Sequence, residues 1–133
     1  MISATDLDDI RQLFVRYSNM IDERQFSRLA EVFTPDAAYD IEAVGLGTYR
    51  GSEEILGFLR TAPHPLLHNN VNAEATIDAD GTVRAFSRCL AVLDTGQSSI
   101  ATYHDILVRT ADGWRIAERI VSPRTTASIP AEN

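Results

Sequence analysis

The 133-residue sequence predicts an α+β domain, three helices packed on one face of a curved, mostly antiparallel sheet that encloses a pocket. Three observations predict it. Apolar residues recur at helical spacing near the N-terminus. Apolar and polar residues then alternate with period two over much of the second half. Turn signals at Asp78-Ala79-Asp80-Gly81, Asp94-Thr95-Gly96 and Ala111-Asp112-Gly113 cut that half into strands. The chain reads as one domain, residues 1–133, with an ordered core of about 5–122 and a C-terminal tail, 123–133, that is poor in large apolar residues.

Thr5 followed by Asp8 resembles a capping box, and Leu7, Ile10, Leu13, Phe14, Tyr17 and Ile21 follow on one helical face. The spacing predicts a first helix to about Asp22. After the polar break Asp22-Glu23-Arg24-Gln25, the residues Phe26, Leu29, Ala30 and Phe33 predict a shorter second helix, stopped at Thr34-Pro35-Asp36 because proline lacks a backbone donor. Tyr39, Ile41 and Ala43 alternate with Asp40 and Glu42 as a half-buried strand does. Gly45, Gly47 and Gly51 bracket a turn-rich stretch. Ser52 is a good N-cap for a third helix carrying Ile55, Leu56 and Leu59, with Glu53 and Glu54 at its positive end. From Leu67 onwards four strands follow: one with Leu67, Val71, Ala73, Ala75 and Ile77 on one face and His68, Asn70, Asn72 and Glu74 on the other, then Val83–Leu93, Ile100–Arg109 and Trp114–Val121.

Composition narrows the function classes. Acidic side chains outnumber basic ones by 19 to 12, and a net charge of −7 repels phosphate backbones and anionic lipid, so neither nucleic acid nor a membrane is an expected partner. No apolar run approaches the roughly 20 residues needed to cross a bilayer. The lone Cys89 has no partner for an internal disulfide, and no signal-peptide pattern is visible, so the expected location is the cytoplasm.

Few residues suggest chemistry. Asp22 stands where the first helix ends, although the negative end of a helix dipole favours a cation there; it either starts a solvated loop or serves a site. His68 shares a strand face with Asn70 and Asn72, which implies solvent or a polar pocket. Tyr17, Tyr39, Tyr49 and Tyr103 sit on separate elements, where packing with one satisfied hydroxyl is the ordinary role. Of the three histidines, His64, His68 and His104, the first two are four apart but in a loop entering a strand, where that spacing does not form a helical metal pair, and there is no phosphate-binding glycine loop or nucleophile motif. No metal and no cofactor are expected.

The stretches Tyr17-Ser-Asn-Met-Ile-Asp22, Leu29-Ala-Glu-Val-Phe-Thr-Pro-Asp36-Ala, Tyr49-Arg-Gly51, His68-x-x-x-Asn72, Tyr103-His-Asp105 and Asp112-Gly-Trp-Arg-Ile-Ala-Glu-Arg119 together resemble the SnoaL-like family. That family belongs to the nuclear-transport-factor-2-like (cystatin-like) superfold, a cone-shaped α+β fold, and its relatives include scytalone dehydratase, bile acid 7α-dehydratase and hexachlorocyclohexane dehydrochlorinase. The resemblance implies a catalytic pair, Asp22 and His68, in which the carboxylate orients the imidazole and favours its charged form so that the neutral ring accepts a substrate proton. It also implies substrate-binding roles for Tyr17, Tyr39, Asn72 and Tyr103. His104 does not match the second histidine of scytalone dehydratase, because it is offset to the other face if Tyr103 points inward.

The implied activity is that of a cofactor-independent lyase (dehydratase-like) or isomerase on a small hydrophobic molecule, polycyclic or polyketide-like. The alternative is a non-catalytic binding module or structural subunit, as in dioxygenase β subunits. A closed pocket that holds Asp22 and His68 within hydrogen-bonding distance discriminates between them. Outward apolar positions such as Phe86, Leu90 and Val92 need cover, and relatives pair through that sheet, so a homodimer or homotrimer is expected.

Overall fold

The computed structural model describes residues 1–132; Asn133, the last residue of the expected tail, lies outside them. The first helix, α1, spans Ala4–Asp22. Its capping box is Ser3 with Asp6, not Thr5 with Asp8: the Ser3 hydroxyl accepts the Asp6 N–H and the Asp6 carboxylate accepts the Ser3 N–H. The earlier start is favoured because Asp6 there also reaches Arg109 and accepts from Trp114 Nε1 at 3.3 Å, which ties the helix start to the far strands. The other end of α1 closes at Arg24, held at φ 56°. The Arg24 N–H donates to the Ile21 carbonyl at 3.1 Å, and the Gln25 N–H to that of Met20 at 2.8 Å.

The second helix is a short 3-10 helix, Phe26–Glu31. The next strand corrects two expectations, because β1 runs Phe33–Asp40 and contains the Thr34-Pro35-Asp36 stretch expected to be a stop. Proline is tolerated since β1 pairs with β6 at Phe33 and again only from Ala38, with an irregular register between them, so no ladder hydrogen bond is lost at Pro35. After Asp40 the chain turns through a 3-10 helix, Glu42–Val44, so the alternation of Tyr39, Ile41 and Ala43 is half strand and half turn. A three-residue strand, β2 (Thr48–Arg50), lies in the glycine-rich stretch and pairs antiparallel with β1. Helix α2 follows at Gly51–Thr61. Ser52 does not cap it; its hydroxyl donates to the Pro35 carbonyl at 3.4 Å, and Arg50 occupies the N-cap position.

Strands β3 (Leu67–Ile77), β4 (Val83–Val92), β5 (Ser98–Thr110) and β6 (Gly113–Pro123) form the expected meander. The six-stranded sheet has the order β2-β1-β6-β5-β4-β3, and only β1 and β6 run parallel. Two bulges change which side chains face inward. In β3 the register slips between Val71 and Glu74, with Asn72 at φ 55°. His68 and Asn70 therefore share the inner face with Ala73 and Ala75, while Asn72 is exposed; the expected strict alternation fails here. In β6 a slip at Ala117 puts Trp114 and Ile116, then Arg119 and Val121, on the buried side.

The core lies between α1 and the concave side of the sheet, where Ile10, Leu13, Phe14, Tyr17, Met20 and Ile21 of α1 are almost completely buried. Among the described residues no helix is long and apolar enough to cross a membrane. A brief 3-10 turn, Thr126–Ser128, interrupts an otherwise irregular, exposed tail.

Candidate active site

Asp22 is delivered by the last residue of α1 and His68 by the second residue of β3, 46 positions apart in the chain. Arg24 joins their supports: its guanidinium donates to the Ile21 carbonyl at 2.7 Å and to the Pro65 carbonyl at 3.3 Å, pinning the segment before β3 to the helix end. The Asp22 carboxylate then accepts the His68 ring Nδ1–H at 2.7 Å, while the His68 backbone N–H lies 3.0 Å from each of its oxygens. The two side chains are 9% and 12% exposed, so the bond is little screened by water. With the proton on Nδ1, the Nε2 lone pair is free to accept another.

His68 lines a cavity of about 230 Å³ beside the C-terminal end of α1. Its wall is mostly apolar, with Ile21, Ile41, Phe58, Ala91 and Val121 prominent, and Tyr39, Tyr103, Cys89 and His64 add polar atoms. An apolar chamber with a few convergent polar groups is the usual form of a small-molecule site. Exposed Val44 and Leu46, on the turn between β1 and β2, also border it.

Of the sequence-predicted residues, His68, Tyr39 and Tyr103 come together on this wall, with Asp22 directly behind His68. Tyr17 does not reach the cavity. It lies one layer deeper, its hydroxyl 2.7 Å from that of Tyr39 and its ring edge-on to Tyr103 with centroids 5.7 Å apart. Asn72 is not brought in: the bulge turns it out beside Arg11 and Val15, so the substrate-binding role expected for it has no geometric support. His104 faces outward against Phe86, as its offset from Tyr103 predicts.

The sequence reading missed what lies under the tyrosines. Arg119 and Asp105 form a fully buried ion pair, Nε to Oδ1 at 2.7 Å and Nη2 to Oδ2 at 2.8 Å. Nη2 also donates to Asn70 Oδ1 at 3.1 Å, and Asn70 donates onward to the buried Ser87 hydroxyl at 2.7 Å. The Arg119 guanidinium lies over the rings of Tyr103, Tyr17 and Phe14 at 3.9, 4.3 and 5.0 Å. A signal for it existed. If Tyr103 points inward so does Asp105 two residues on, and a carboxylate on a buried face demands a cation.

Burial dominates the electrostatics. It pushes the hydroxyls of Tyr39 and Tyr103 well above the usual tyrosine range and that of Tyr17 above it, with Arg119 pulling each the other way. Burial also raises the Cys89 thiol, which keeps it protonated in the cavity wall. His64 is lowered, by burial first, and its Nε2 sits 2.7 Å from the Leu59 carbonyl, which fixes the proton on that nitrogen. Burial opposes the Arg119 charge, but Asp105 outweighs it and the group is held more firmly protonated than usual. Among the described residues no three His, Cys, Asp or Glu side chains are grouped to hold a metal ion.

Residues 3–120 match the family described as the SnoaL-like domain. The protein Rv2910c of Mycobacterium tuberculosis, itself called uncharacterized, is 35% identical over 131 residues, covering 90% of this chain and 88% of its own. Among solved structures, a type 2 hexachlorocyclohexane dehydrochlorinase (LinA) superposes with a TM-score of 0.70 at 23% identity, over 96% of this chain and 94% of that one. A protein from Novosphingobium aromaticivorans described as ntf2-like with a cystatin-like fold gives 0.72 at 22% identity, over 93% and 85%. The fold is therefore the cone-shaped nuclear-transport-factor-2-like, cystatin-like one.

Proposed function

The chain belongs to the SnoaL-like domain family, and on that premise we propose that it is a cofactor-independent lyase, dehydratase-like, or an isomerase of a small hydrophobic molecule of polycyclic or polyketide-like kind. The observation that carries this reading is the 2.7 Å bond between Asp22 and His68 Nδ1, with the other nitrogen of a cavity-lining ring left unbonded among the described residues. His68 Nε2 takes a proton from a carbon next to an activating carbonyl. The electron pair of that C–H bond moves into an enolate, and Asp22 stabilises the imidazolium that results. Tyr39 and Tyr103 donate to the enolate oxygen or to a departing hydroxyl. Elimination follows if a leaving group stands β to the carbonyl; otherwise the proton returns elsewhere and the product is an isomer. The similarity of the fold to a dehydrochlorinase supports chemistry that begins with C–H deprotonation.

The test is solvent deuterium entering the α-position of small aromatic ketones and β-hydroxy ketones, followed by proton NMR. His68→Gln abolishes the exchange under this reading. Exchange that continues unchanged in that variant overturns it, and absence of exchange in the wild type overturns it in favour of the binding-module alternative. The proposal extends to a cytoplasmic homodimer or homotrimer associating through the outer face of the sheet.

A further inference from the structure

Arg119 is absent from the cavity wall, yet it is placed to govern a group that is on it. Asp105 holds the Nε and Nη2 edge of the guanidinium, whereas Nη1 is buried with no hydrogen-bond partner among the described residues, so that edge is the uncompensated positive end of the pair. The guanidinium stacks on Tyr17 at 4.3 Å, and among the described residues no such stack reaches Tyr39. The Tyr17 and Tyr39 hydroxyls are 2.7 Å apart, and distance alone allows either to be the donor.

A cation against one ring of such a pair breaks the tie. The hydroxyl nearer the positive charge gives up its hydrogen more readily, and a hydroxyl that receives a hydrogen bond becomes a stronger donor in turn. If Tyr39 donated to Tyr17, the cavity would meet only its lone pairs. With Tyr17 as donor, the Tyr39 hydrogen is left over, and Tyr39 is the member of the pair that lines the cavity.

We propose that Arg119 is a positioning residue that makes Tyr17 the donor in the Tyr17–Tyr39 bond and so reserves the Tyr39 hydroxyl hydrogen for a carbonyl or oxyanion oxygen of the ligand. The inference rests on the cavity being the ligand site, not on His68 acting as a base.

The carbonyl stretch of bound acetophenone, read by infrared difference spectroscopy, tests it. The band shifts to lower frequency than in an apolar solvent in the wild type, and Tyr39→Phe abolishes the shift. Tyr17→Phe, which keeps the ring on Arg119 and removes only the hydroxyl, keeps most of it, losing only the strengthening that an accepted hydrogen bond gives the Tyr39 donor. The charge-free pair Asp105→Asn with Arg119→Gln loses most of the shift, because Tyr39 is then free to donate to Tyr17; should that variant fail to fold, Tyr17→Phe decides. His68→Gln keeps the shift, which separates this outcome from failure of the proton-abstraction reading. A band that moves to still lower frequency in Tyr17→Phe, which would mean that Tyr39 had been donating to Tyr17, or no bound acetophenone at millimolar concentration, overturns the proposal.

Discussion

Asp22 takes both hydrogens that His68 offers on one side, the ring Nδ1–H and the backbone N–H, so a single carboxylate fixes the imidazole and the strand that carries it. The two roles separate by mutation. Asp22→Asn presents an amide N–H to Nδ1, drives the ring proton to Nε2 and removes the lone pair from the cavity; the loss of any His68-dependent turnover is about 10⁴-fold by the precedent of other oriented histidines. Nitrogen-15 NMR of the His68 ring shows the tautomer change directly. Asp22→Ala also orphans the part-buried backbone N–H and costs about 1–3 kcal/mol in urea unfolding. A His68 ring already protonated on Nε2 in the wild type contradicts this account.

Acid sensitivity resides in part at the start of α1. The Ser3 backbone and hydroxyl, then Arg109, hold the Asp6 carboxyl at about 2. A depressed carboxyl stabilises the fold fully above its unfolded value, near 3.8, and loses that contribution as pH falls through the folded value. Melting temperatures of wild type and Asp6→Asn are expected to differ at pH 5 and to converge between pH 4 and 2. Parallel curves over that window assign the capping box no electrostatic role.

The Arg119–Asp105 pair is costly to break and cheap to replace whole. Arg119→Met alone strands a fully buried carboxylate and is expected to lower unfolding free energy by about 3–5 kcal/mol, whereas Arg119→Met with Asp105→Leu costs less than the single change. Urea titration of both variants checks the inequality. The reverse order means that the carboxylate is satisfied without the cation.

The outer face of the sheet exposes Phe86 and Leu90 by 37% each and Ile100 by 49%, with Leu90 and Ile100 directly paired across β4 and β5. Cover by a second copy predicts a dimer or trimer mass in light scattering at micromolar concentration, and Leu90→Asp shifts it towards monomer. A monomer mass for the wild type removes the prediction.

The meander from Leu67 to Pro123 was legible because alternation and glycine-containing turns are local signals; Asp22 stood out by opposing the helix dipole, whereas its pairing with His68 came from the family resemblance and not from any local rule. Asn72 was misread for a physical reason: a bulge needs only one residue at positive φ, and asparagine tolerates it without any mark in the pattern. The same holds for Pro35, whose tolerance depends on a gap in pairing with β6 that only the assembled sheet contains. Arg119 stayed hidden because its partner Asp105 and the rings above it are gathered from different elements. The missing link there was tertiary.

The bulges at Asn72 and Ala117 act as phase boundaries between the cavity end of the sheet and its closed end. Each strand keeps its own count of alternate residues on either side of its boundary. Deleting one residue at Asn72 would keep Ala73 and Ala75 seated only by swinging His68 and Asn70 outward, and deleting Ala117 would force the same choice between Ile116 and Arg119. A deletion scan is therefore expected to find these two positions intolerant although neither side chain touches a ligand. The turns at Asp80 and Asp112, which lie outside both boundaries, should accept a shortened or lengthened chain with the cavity intact.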